Sequence, residues 1–160
     1  MLCTRCVYRR VFLDKVRVVK IPLEENSYIP SNIIELIQSS CVFSEKELKE
    51  SMKKEKDLYV LYADDEQIAG FCVAIKAYPH EVTAELKISN TEKILWIDAL
   101  EIKQEWQGRQ LGTFLFRHIR NSFKECVFLF SLREAVPFWE KMGLKVLCWS
   151  GEAAYLIACG

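Results

Sequence analysis

The hydrophobic pattern of the chain changes period several times, and each change marks an element. Residues 15–21, KVRVVKI, alternate in the period of a strand, and Pro22, which brings no amide N–H to a ladder, is expected to close it. PSNIIELIQSS then places Ile33, Ile34 and Ile37 on one face of a helix opened by Pro30 or Ser31. A second helix is expected from Ser44, because Ser44 and Glu47 have capping-box spacing ahead of KELKESMKKE, whose lysines read as a solvated face. DLYVLYA and IAGFCVAIKAY, joined by the turn DDEQ, read as an antiparallel hairpin. After a polar loop with Pro79 and His80, KILWIDALEIK reads as a long strand. A helix from about Arg109 to Phe123 carries Leu111, Leu115 and Ile119 on one stripe, and CVFLFS, without alternation, reads as a strand buried on both faces. Strand, glycine loop, helix and strand in that order make a βαβ unit, whose two strands run parallel.

Composition bounds this picture. The length of 160 residues suits one domain, and 51% apolar with 28% charged residues suits a folded core. Lysine and arginine (22) balance aspartate and glutamate (22), so no net charge draws nucleic acid or an anionic membrane, and neither is expected as a partner. Seven cysteines, at 3, 6, 41, 72, 126, 148 and 159, form an odd, scattered set that reads as reduced thiols, with Cys72 and Cys126 as inert residues in buried strands. Arg5, Arg9 and Arg10 interrupt any leading apolar segment, and the longest apolar run, IAGFCVAI at 68–75, is well short of the roughly 20 residues a membrane-spanning helix needs. A cytoplasmic protein is therefore expected. Cys3 and Cys6 in CTRC have metal-like spacing without a second pair, so no metal site is expected. His80 and His118 read as surface histidines, and Trp106, Phe114, Phe116 and Phe123 as packing groups.

The candidate chemistry lies in EWQGRQLGTFLFRHI, residues 105–119. The first turn of a helix carries backbone N–H groups without intrahelical partners and the positive end of the helix dipole, so a strand-to-helix turn of small residues can receive a phosphate. Gly108 and Gly112 let backbone approach the anion, while Gln107 and Arg109 add donors. The spacing fits neither the nucleotide-triphosphate loop nor the dinucleotide fingerprint. IKQEWQGRQLGTFLF resembles instead the acetyl-CoA-binding motif of the GNAT superfamily of N-acetyltransferases, with Gln107, Leu111 and Gly112 in register. EAVPFWEKMGL, residues 134–144, resembles that family's second motif through Ala135, Phe138, Glu140, Lys141 and Gly143.

The resemblance covers residues 15–160, leaves 1–14 as an N-terminal extension, and implies an α+β domain of GNAT type: a mixed sheet splayed between two parallel strands and flanked by about four helices. It implies acetyl-CoA as cosubstrate and a primary amine as acceptor, with a homodimer left open. The pantetheine arm would run along Leu100, Glu101 and Ile102, and the pyrophosphate would sit on the amides of Gln107, Gly108, Arg109, Gln110, Leu111, Gly112 and Thr113. Phe138, Trp139 and Lys141 would complete the cofactor site. Amine attack on a thioester needs a base and usually an acid. Strand alternation places Trp96, Asp98, Leu100 and Ile102 on one face unless a bulge shifts them, with Asp98 the acidic residue in an otherwise apolar row. The resemblance implies a carboxylate presented to the amine from this position, four residues before Ile102, which makes Asp98 the first candidate base and Glu101 the second. The other reading of Asp98 is a structural carboxylate paired with a nearby Arg or Lys. Three departures stand out: Gln110 replaces the motif's first glycine, Leu132 the usual asparagine, and Trp139 the usual tyrosine acid. An indole N–H gives up no proton at accessible pH, so the acid falls to Tyr155, Cys148 or solvent. The reading from another class is a non-catalytic acyl-CoA-binding or protein-interaction module.

Overall fold

The computed structural model describes residues 15–24, 27–40, 44, 46–47, 55–64, 66–82 and 92–159. Its strands are β1 (Arg17–Leu23), β2 (Lys56–Ala63), β3 (Gln67–Ala77), β4 (Ile94–Ile102), β5 (Val127–Leu132), β6 (Lys145–Ser150) and β7 (Ala153–Ala158). The α-helices among the described residues are α1 (Ser31–Gln38), the single turn α2 (Pro79–Val82), α3 (Leu111–Asn121) and α4 (Val136–Lys141). The strands form one sheet in the order β1-β2-β3-β4-β5-β7-β6. Every neighbouring pair is antiparallel except β4 and β5, the two strands of the βαβ unit. This is the mixed α+β architecture that the family resemblance implies.

The sheet separates two layers of core. On the front face, Leu111, Leu115, Phe116 and Ile119 of α3 and Val136 and Trp139 of α4 pack on Leu95 and Ile97 of β4 and on Val127 and Leu129 of β5. On the back face, Ile33, Leu36 and Ile37 of α1 cover Leu58, Val60, Phe71, Val73 and Ala99. Ile34, expected on the buried stripe of α1, only packs at the edge of that cluster, and Leu36 takes its place.

Several boundaries differ from the sequence expectations for local reasons. Pro22 lies inside β1, opposite Asp57, and does not end it. β1 is an edge strand, where a residue without an N–H is tolerated on the solvent side. Helix α3 starts at Leu111 rather than near Arg109, because Gly108 (φ 75°) and Gln110 (φ 62°) are both left-handed. The capping box at Ser44 is present, with Ser44 Oγ and backbone N–H donating to the Glu47 carboxylate and Glu47 N–H donating to Ser44 Oγ. The body of that helix lies outside the described residues, as do Cys3, Cys6 and the extension 1–14.

The thiols are not all reduced: Cys126 and Cys159 form a disulfide. Val127 pairs with Ala158, so the next positions outward on β5 and β7 fall opposite each other, with Cα atoms 4.1 Å apart. Residues 33 apart in sequence become neighbours only through strand register, and the argument for a reducing compartment loses its support. Cys72 is a free, buried thiol whose pKa burial pushes up, as expected of an inert core residue.

The approach of β3 to β4 depends on one glycine. Gly70 pairs with Ile102, and a Cβ added there would lie 2.4 Å from the carbonyl oxygen of Glu101 and 3.1 Å from Cα of Ile102. Backbone cannot retreat as a side-chain tip can. Gly70→Ala is expected to destabilise the domain by about 1–3 kcal/mol, the usual range for overpacking, outweighing the smaller gain from restricting the unfolded chain. Chemical denaturation at constant m-value measures it.

Candidate functional site

The βαβ unit opens where its parallel ladder ends. β4 and β5 pair only at Leu95–Val127, Trp96–Phe128 and Ile97–Leu129. Beyond that rung β4 runs on to Ile102, held by β3, while β5 runs on to Leu132, held by β7. Each strand is tied on its far side, so the two diverge. The register of β4 against β3 slips between Val73 and Ala74, leaving Asp98 as the extra residue of a β-bulge. A bulge sharpens local twist and re-aims the side chains beyond it. Asp98 and Phe130 are the first residues past the last rung on the two strands.

The bulge corrects the expected alternation. Leu100 and Ile102 pack with Leu95 and Ile97 on the front core, whereas Ala99 belongs to the back cluster. Asp98 therefore does not share a face with Leu100 and Ile102. It stands on the back with Trp96, whose indole N–H donates to Asp98 Oδ1 at 3.3 Å.

On the front face, Ile102, Trp106, Gln107, Gly108, Gln110, Leu111, Gly112, Thr113 and Phe138 line one open cleft of about 280 Å³. The cleft sits at the N-terminus of α3, so the first-turn amides, which have no intrahelical acceptor, border it. An added Cβ on Gly112 would meet Phe138 Cζ at 3.5 Å and Ile102 Cγ1 at 3.6 Å, ordinary contacts that still place any larger side chain in the cleft. The Gln107 carboxamide donates to the carbonyl of Ile102 at 2.9 Å and fastens the loop to the end of β4. Its backbone N–H is already bonded to Gln104, so the anion-facing amides begin after Gln107. The guanidinium of Arg109 stacks 4.8 Å above the Trp106 ring, which keeps a cation at the rim. Trp106, read from sequence as a packing group, is thus also a wall of the cleft.

The remaining expected cofactor residues divide. Trp139 is 7% exposed and packs edge-on against Phe116 and Phe138, inside the core between α3 and α4. Lys141 is exposed at the end of α4 and is not among the lining residues. Of the second motif, Phe138 alone reaches the cleft, because consecutive helical residues point about 100° apart.

On the back face, Lys56 Nζ lies 3.3 Å from Asp98 Oδ2, so both carboxylate oxygens have a donor. The Lys56 side chain is only 9% exposed, while Asp98 keeps 30%, enough to meet a ligand. Nothing in the sequence links Lys56 to Asp98; β3 lies between their strands. Glu101, also on the back, accepts a hydrogen bond from Ser40 Oγ just beyond α1. Tyr155 lies on β7 with its ring against Phe128 and Phe130. β5 is not buried on both faces along its whole length as expected: Phe128 is fully buried, but Phe130 is 46% and Leu132 55% exposed, and neither belongs to the cluster under α1. Among the described residues, no cluster of three or more His, Cys, Asp or Glu is placed to hold a metal, and no helix is long and apolar enough to cross a membrane.

Comparison with known proteins gives a family. The model of the acetyltransferase (GNAT) family matches residues 30–144. No curated protein matches the chain by sequence. Among solved structures, Arabidopsis thaliana NAA60 in complex with a bisubstrate analogue superposes with a TM-score of 0.65 at 12% identity, over 89% of this chain and 97% of that one. The Bacillus subtilis N-acetyltransferase YlbP in complex with coenzyme A gives 0.66 at 17% identity, over 90% and 97%. NAA60 in complex with acetyl-CoA gives 0.61 at 12% identity, over 90% and 100%. At such identities the superpositions speak for the fold, and the sequence match, which spans well over half of the chain, speaks for descent: the protein belongs to the acetyltransferase (GNAT) family.

Proposed function

We propose that the protein transfers the acetyl group of acetyl-CoA to a primary amine of a small molecule or protein, by direct attack of the amine on the thioester. The observation that carries this is the three-rung ladder between β4 and β5, past which β4 runs on alone with Asp98 on its back face and Ile102 at the α3 cleft on its front. The pyrophosphate lies on the amides from Gly108 to Thr113, with Arg109 at the rim. The pantetheine arm enters beside Leu100, Glu101 and Ile102, whose edge toward β5 has left the ladder. Acetyl-CoA or coenzyme A occupies solved members of this fold, which supports that assignment.

The thioester then comes to the opening from the front and the amine from the back. Asp98 is the proposed proton acceptor, directly or through water. Its hydrogen bonds to Trp96 and Lys56 fix the carboxylate at the mouth, which limits the reorientation needed when the amine arrives. Glu101, engaged by Ser40 further along β4, is the second choice. The leaving group is a thiolate, which departs far more readily than an alkoxide, so its proton can come from an acid or from solvent. Tyr155 shares the back face and offers a phenol where Trp139 offers only an indole.

Acetyl-CoA at about 100 times its dissociation constant is expected to stabilise the fold by roughly 2.7 kcal/mol, read as a rise in melting temperature. No shift at millimolar cofactor sinks both the enzymatic reading and the acyl-CoA-module reading. A shift with no release of free CoA in the presence of amines leaves the non-catalytic module.

A further inference from the structure

The geometry points to an acceptor of a particular class: a small amine with one aromatic or similarly flat apolar body, lying across the back of β4, β5 and β7 with its nitrogen at Asp98. This rests on the acetyltransferase reading above and adds the acceptor to it.

The back face carries a continuous row of rings. Trp96 stacks on Phe128 with centroids 5.0 Å apart, Phe128 on Tyr155 at 5.8 Å, and Tyr155 meets Phe130 at 4.6 Å. The Trp96 indole bonds to Asp98, so the row ends at the proposed proton acceptor. Phe130 is placed independently, as the β5 residue just past the last rung. Its 46% exposure sits on a strand whose front side chains, Val127 and Leu129, are fully buried. Phe128, at the centre of the row, is fully buried and supports the others, so the accessible part is Phe130 and Leu132 with the partly exposed rings of Trp96 and Tyr155; an apolar patch of this kind beside a reaction centre marks a binding surface.

Size and charge narrow the occupant. At the last rung, where β4 and β5 are still paired, β4 to β7 is two inter-strand spacings, about 10 Å, the length of one or two rings. β5 and β7 are both interior strands, so no free ladder edge is offered there to a peptide backbone. The charged pair at this end of the row is Asp98 with Lys56. A single ammonium suits that carboxylate, whereas the further charges of a polyamine would meet Lys56.

The test uses the full chain, saturating acetyl-CoA and free-thiol release, comparing phenethylamine and tryptamine with butylamine, cadaverine and spermidine. The ring-bearing amines should show kcat/KM at least tenfold higher. Phe130→Ser should remove most of that advantage through KM, while Phe130→Tyr retains it, with the acetyl-CoA melting shift reporting that each variant is folded and loaded. Equal or better turnover of butylamine or spermidine overturns the inference and leaves the acetyltransferase reading intact; so does a ring preference untouched by Phe130→Ser. A protein that binds acetyl-CoA yet acetylates none of the five amines overturns the inference and counts against the enzymatic reading as well.

Discussion

Gly112→Asp should abolish measurable acetyl-CoA binding while leaving the domain at least as stable as the parent. Gly112 is the second residue of α3, and the space a Cβ would enter is free of clashes. An acidic residue in a first helical turn contributes about 0.3–1 kcal/mol through the helix dipole, and replacing a helical glycine adds about 0.5–1 kcal/mol. The same carboxylate would stand in the cleft proposed to receive the pyrophosphate. At ~5 Å and an effective dielectric near 20, two unit charges repel by about 3 kcal/mol, so a diphosphate carrying more than one charge loses well over a hundredfold in affinity. The opposed signs make the prediction specific. Calorimetric titration and thermal melts on one preparation measure both, and a variant that is stable and still binds would remove the anion from this helix mouth.

Asp98→Asn should cost about 10²- to 10⁴-fold in turnover, the usual range for a positioned general base, with acetyl-CoA affinity nearly unchanged. The substitution keeps the size and one acceptor oxygen for the bulge but removes basicity. It also weakens the pairing with Lys56, whose side chain is largely buried, so some stability should be lost. That loss separates two roles. If Asp98 served only as a partner for Lys56, melting would fall and turnover per folded molecule would not. If it accepts the proton of the amine, turnover falls at temperatures where the variant is fully folded, and the remaining rate simply follows the fraction of free amine, rising with pH. Glu101→Gln is the control, since Glu101 shares the back face but is tied to Ser40 beyond α1. Should neither change matter in an active enzyme, solvent takes the proton and catalysis rests on holding the reactants together.

How much of the site could be read in the sequence differs by residue. Gln107, Gly108, Gln110, Leu111, Gly112 and Thr113 follow one another through a turn into a helix, and all of them line the cleft. Phe138 joined them through the second motif. Trp139 and Lys141 were expected beside Phe138 because the motif is linear, but a helix aims one inward to the core and the other to solvent. Gln110 shows what a linear match leaves out. It stands where the motif has glycine and adopts the left-handed backbone that glycine favours, so the loop keeps its shape at the cost of local strain.

The sequence by itself determined the seven strands' neighbourhoods, the helix at Ser31 and the parallel crossing of the βαβ unit, because periodicity, capping and chain connectivity act over a few residues to a few turns; it missed the helical turn at Pro79–Val82, which it read as a polar loop. It also determined the glycine loop, whose chemistry depends on contiguous backbone. Only the tertiary structure decided which way β4 faces at the opening. A one-residue bulge, set by the register of β3, moved Asp98 away from Leu100 and Ile102 and onto the face of Trp96. Strand register likewise brought Cys126 to Cys159, the sheet's packing brought Lys56 to Asp98, and packing left Phe130 exposed while burying Phe128 on the same face. Such pairings join residues tens of positions apart, and a strand's side chains change face with every residue. No local pattern records where a partner strand will slip by one, so the surroundings of Asp98, the proposed acceptor site, follow from packing rather than from motif.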